Sequence, residues 1–183
     1  MHVDSVLDER TLRELYLKGF EIAVREGKPL AVMTSYNKVN GTYANENSYL
    51  LQDILRDEWG FSGAVVTDWG GSNDVVEGVR AGMNLEMPGT GYDSAVQLVK
   101  AVHQKRLDEK TIDVRLDQLL GLTMKTRQSS QEAAINFDQN HALVCKAAEA
   151  SIVLLKNDNE ILPLPESKRV AVVGDFAINP RVQ

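Results

Sequence analysis

The chain has 183 residues, with 20 Lys+Arg against 26 Asp+Glu, a formal net charge of −6 and 43% apolar residues. This composition is ordinary for a globular protein and excludes collagen-like, disulfide-stapled and low-complexity classes. Net acidity also argues against nucleic-acid partners, which require clustered Lys/Arg to neutralise phosphates.

Asp8 to Glu26 reads as an amphipathic helix, because Leu12, Leu15, Tyr16, Phe20, Ala23 and Val24 recur at three- and four-residue steps. Asp8 is its expected N-cap and Gly27 its expected stop. Leu30 to Tyr36 is a short apolar run after Pro29 and predicts a buried strand. Asn37 to Tyr43 is a loop with an Asn40-Gly41 turn signal. Asn47 to Trp59 is a second helix, and Gly63 to Trp69 a second strand. Asp74 to Ala81 is a short helix, and Met83 to Met87 a third strand stopped by Pro88-Gly89. Short apolar strands alternating with amphipathic helices predict a parallel sheet covered by helices, an α/β fold.

The second half changes character. Helices are expected over Tyr92 to Lys105, Thr111 to Arg127 and Asp138 to Ala150, with a polar break at Gln128-Ser-Ser-Gln131. Arg169 to Asp175 is a fresh buried-strand signal near the end. Cys145 is the only cysteine; on an apolar helical pattern it is expected to be a small buried hydrophobe rather than a reactive thiol. His2, His103 and His141 share no metal-ligand spacing, so no metal site is expected. Val170 to Gly174 resembles the opening of a nucleotide-binding unit but lacks its further glycines. No run of about 18 apolar residues exists, so no membrane span is expected. The N-terminus has no basic region followed by an apolar run, so no signal peptide is expected and the default compartment is cytoplasmic.

The strongest chemical constellation is Thr67-Asp68-Trp69-Gly70-Gly71. It sets a carboxylate at the carboxyl end of a parallel strand, where sites assemble in α/β sheets and barrels. Two roles are open for Asp68: site carboxylate, or N-cap of the next helix. Trp69 offers a flat face for a sugar ring or another planar group. Tyr36 ends the preceding strand and should open onto the same face as Asp68, as hydrogen-bond donor or packing aromatic. Met33, three residues earlier, falls on the opposite face by alternation and reads first as core filling. Glu86 could pair with Asp68 as the second carboxylate of a glycosidase, or could simply be held by its neighbours.

Gly60-Phe61 through Asp68-Trp69-Gly70, followed by Ala81 through Pro88-Gly89, resembles the nucleophile region of glycoside hydrolase family 3. Val32 to Gly41, Leu51 to Gly60, His141, Ala147 to Asn157 and Leu162-Pro163-Leu164 match that family in order and spacing. The resemblance implies the C-terminal part of a (β/α)8 TIM-type barrel over residues 1–127. It implies a helix and linker over 128–168 and the first strand of an α/β sandwich domain over 169–183. It implies Asp68 as the nucleophile of a retaining β-glucosidase, with Trp69, Tyr36 and Met33 in the substrate site. No cofactor is implied; the partners are a β-glucoside or short oligosaccharide and the remaining barrel and sandwich. The family often has Ser at the position of Thr67 and Asp at that of Asn84, and its general acid lies in the sandwich domain. The alternative is a non-catalytic fragment, or half of a split enzyme that needs a complementary chain.

Overall fold

The computed structural model describes residues 3–128 and 134–181. The chain divides into two compact units, residues 1–131 and 132–183.

The first unit is an α/β body. Strand β1 (Asp4–Ser5) is followed by a helical stretch made of α1 (Glu9–Thr11), a wide-turn segment (Leu12–Tyr16) and α2 (Lys18–Gly27). Asp8 caps it as expected, its Oδ1 accepting from Thr11 N at 3.0 Å. The turns then widen, with Leu17 N donating to Leu12 O at 2.8 Å. This shifts the phase of the apolar stripe. Leu12 and Val24 are buried, while Leu15, Tyr16 and Phe20 are exposed. The stop falls one residue later than expected: Lys28, not Gly27, takes the left-handed position at φ 47°.

Strands β2 (Ala31–Met33) and β5 (Ala64–Val66) pair in parallel, Val32 opposite Val65. Gly63 lies where this pair begins, and a Cβ there would sit 2.3 Å from Leu30 O, so the close strand approach requires glycine. The expected loop at 37–43 is instead a hairpin of β3 (Lys38–Val39) and β4 (Thr42–Tyr43), with β1 parallel to β3. Its turn, Asn40-Gly41, has φ of 51° and 89°, the two positive angles that match strand twist. A wide-turn helix (Tyr49–Glu58) follows β4, α3 (Val75–Ala81) follows β5, and α4 (Asp93–His103) and α5 (Glu109–Gln128) complete the unit. One core cluster joins Val24, Leu51, Leu55, Phe61 and Val65; another joins Val76, Val79, Met83, Ala101 and Leu107.

The expected third strand at Met83–Met87 is reduced to a single parallel bridge, Val66 to Leu85. Side chains replace the rest of the ladder. Asn84 Oδ1 accepts from Val65 N at 2.7 Å, and Thr67 Oγ1 accepts from Met87 N at 2.8 Å. Asn84 also binds Arg56 and donates to Arg115 O at 2.8 Å, tying the strand end to α5. Arg56 is buried, with its guanidinium on Gly63 O, Gly82 O and Asn84 Oδ1. Desolvation, followed by repulsion from Arg115, lowers its pKa to about 10.

The second unit contains α6 (Phe137–Ser151), capped by Asn136 Oδ1 on Gln139 N at 3.0 Å, and two short turns. The strand expected at Arg169–Asp175 is not formed. Val172 and Val173 are exposed and pair with no other segment among the described residues. A strand needs a ladder partner, and the described residues of this unit supply none. The nucleotide-binding reading of Gly174 loses its strand with it. Cys145 is exposed rather than buried, its Sγ 3.6 Å from His141 Nε2. The polar break expected at 128–131 falls largely on residues outside those described, as does His2.

Candidate active site

The β2–β5 register carries two sequence-predicted residues to the same strand ends. Thr34 N donates to Val66 O at 2.9 Å, which extends the pairing beyond Met33. Tyr36 and Asp68 then emerge side by side, near enough for the Asp68 carboxylate to act on the Tyr36 phenol. The phenol pKa is raised, first by desolvation and then by the neighbouring Asp68 carboxylate. Asp68 is half-buried, and its Oδ1 also accepts from Trp69 N at 2.6 Å. The capping role left open for Asp68 belongs to Asp74, whose Oδ1 accepts from Val76 N and Glu77 N at 2.9 and 3.1 Å.

The turn behind the carboxylate is tightly defined. Gly71 N donates to Asp68 O at 2.8 Å, and Gly70, at φ 75°, donates through its N–H to Met87 O at 2.8 Å. Glu46 Oε1 accepts from Asn73 N and Asp74 N at 3.2 and 2.8 Å, pinning the far end of the loop. The Trp69 side chain is 65% exposed, so its face is free for a ligand.

Met33 is placed differently. It lines an apolar cavity of about 490 Å³ with Leu12, Phe20 and Leu51, and neither Asp68 nor Trp69 lines that cavity. Glu86 is half-buried, with the Thr90 hydroxyl 3.5 Å from its Oε2. No cluster of three or more His, Cys, Asp or Glu suited to a metal exists among the described residues. The sequence reading missed Glu46, Asn84 and the Thr67 hydroxyl as supports. A carboxylate that accepts from a loop main chain, or a hydroxyl inside a strand run, leaves no periodic signal.

The sequence model of the glycosyl hydrolase family 3 N-terminal domain matches residues 2–122. The chain belongs to glycosyl hydrolase family 3. Thermostable β-glucosidase B of Acetivibrio thermocellus is 42% identical over 184 residues, covering 100% of this chain and 24% of the relative. β-Glucosidase B of Emericella nidulans is 42% identical over 182 residues, covering 94% and 22%. The crystal structure of the Bifidobacterium adolescentis family 3 β-glucosidase superimposes with a TM-score of 0.74 at 39% identity, over 99% of this chain and 27% of that one. β-Glucosidase 3B of Thermotoga neapolitana in complex with α-D-glucose gives 0.74 at 35% identity, over 97% and 26%. The chain thus spans about a quarter of the length of the relatives it matches. Its strand–helix alternation is that of part of a family 3 barrel domain.

Proposed function

We propose that this chain carries the nucleophile half of a retaining β-glucosidase site, with Asp68 attacking the anomeric carbon of a terminal β-D-glucosyl residue. The observation that supports this is the pairing of Asp68 with Tyr36 at the carboxyl ends of β2 and β5. The carboxylate accepts from the Trp69 N–H at 2.6 Å and stands beside the Tyr36 phenol. Attack would form a covalent glycosyl ester, and water would release the sugar with its configuration retained. Trp69 would pack its exposed indole on the ring. Two carboxyl groups are needed for this chemistry, one to protonate the leaving oxygen. Glu86 is a weak candidate for that acid, being drawn toward Thr90, so the acid is assigned to sequence outside these 183 residues.

The chain alone is therefore expected to show negligible turnover of a p-nitrophenyl β-glucoside. Adding a complementary chain that supplies the rest of a family 3 barrel and sandwich should restore turnover, and Asp68→Asn should abolish the restored activity. Robust turnover by the chain alone, unaffected by Asp68→Asn, would overturn the reading.

A further inference from the structure

We propose that Thr67 is a positioning residue for Asp68, its hydroxyl clamping the strand end from which the carboxylate projects. The inference rests on the reading of Asp68 as the nucleophile. Thr67 is 1% exposed. Its N–H donates to Leu85 O at 3.0 Å, the last main-chain link of β5 toward the Leu85 segment. Beyond this point the hydroxyl takes over, donating to Met87 O at 3.1 Å and accepting from Met87 N at 2.8 Å. Met87 O also accepts from Gly70 N at 2.8 Å.

Asp68 and Trp69 are consequently bracketed, with both flanking residues anchored to one carbonyl. A β-branched side chain suits this task, because an extended backbone leaves its χ1 few alternatives and the two bonds form without searching rotamers. Loss of the hydroxyl leaves Met87 N without its acceptor and frees the N-terminal side of the bracket. The Asp68 carboxylate then swings relative to Tyr36, which sits on the other strand.

The test uses the 183-residue chain with ring-labelled tyrosine. NMR follows the titration of Tyr36, identified by Tyr36→Phe, alongside thermal unfolding. Asp68→Asn sets the full downward shift expected when the carboxylate partner is lost. Thr67→Val is expected to give at least half of that shift, and Thr67→Ser is expected to titrate like the parent. Thr67→Ala provides the same reading should the Val variant fail to fold. A purely structural role would lower the unfolding temperature while leaving the phenol titration in place, and that result would overturn the proposal. Two other results would also overturn it: a Ser variant that behaves like Val, or no shift in Asp68→Asn. Failure of the nucleophile assignment would show separately, in covalent trapping, without moving this titration.

Discussion

Both units carry runs of aliphatic residues, but only the first buries them. Val65 in β5 is 0% exposed, whereas Leu155, after α6, is 92% exposed. The contrast shows what an apolar run needs in order to become a core. In the first unit β2 and β5 pair in parallel, and Val65 and Val32 pack with Val24, Leu51, Leu55 and Ala81 from the flanking helices. The second unit has a capped helix and aliphatic segments, but no ladder among its described residues on which to assemble them. Local propensity forms α6; tertiary packing does not reinforce it.

The largest effect expected from this difference is in hydrogen exchange. Amides of Thr34, Val65 and Thr67 should exchange at least about a thousandfold more slowly than unprotected amides, the factor that about 4 kcal/mol confers. Amides of 152–181 should exchange near the free rate. Strong protection at Val170–Val173 would mean that this segment is paired after all.

Next comes truncation of core and surface aliphatics. Ile54 is 1% exposed, and Ile54→Ala should cost about 2–5 kcal/mol in denaturant unfolding. Leu155→Ala should change it by less than about 0.5 kcal/mol. The two helix caps offer a finer comparison, because in each a side-chain oxygen accepts from the main chain of the first turn. Asp74→Ala should cost the first unit about 1 kcal/mol, since α3 packs into a core. Asn136→Ala should reduce α6 helicity by circular dichroism without moving the main unfolding transition.

The smallest effect is acid dependence. Asp8, Glu9, Glu21 and Glu58 all have lowered pKa values, chiefly through hydrogen bonds to Thr11, Tyr49, Lys18 and Arg13 respectively. A carboxylate lowered on folding contributes stability above its unfolded pKa, and loses it as pH falls through the folded value. All four lie in the first unit. Mild acid below the ordinary carboxylate range should therefore lower its midpoint modestly, with the loss weakened by salt.

Much of this was legible in the sequence because periodicity reports burial. The β5 and α3 segments fall where their apolar patterns put them; β2 forms within Leu30–Tyr36 but leaves Ala31 and Met33 exposed rather than buried. Asp68 and Tyr36 come side by side because both follow paired strands. The departures have physical causes. Met83–Met87 reads as a strand, yet the Asn84 amide and Thr67 hydroxyl satisfy main-chain groups that a ladder would otherwise take. Arg56 lies outside the apolar pattern of its helix, yet it is buried, with three oxygen acceptors converging on its guanidinium. Val170–Val173 reads as a strand on composition, and composition cannot supply a partner.

Asp68 is proposed as the nucleophile, carried on this chain without the acid. A glucoside fluorinated at C2, with a 2,4-dinitrophenolate leaving group, tests it most directly. This leaving group departs without protonation, and the fluorine slows release of the ester. Mass spectrometry with peptide mapping should find one glycosyl adduct, on Asp68, absent from Asp68→Asn. An adduct on another residue, or none at saturating reagent, would rule out Asp68 as the nucleophile.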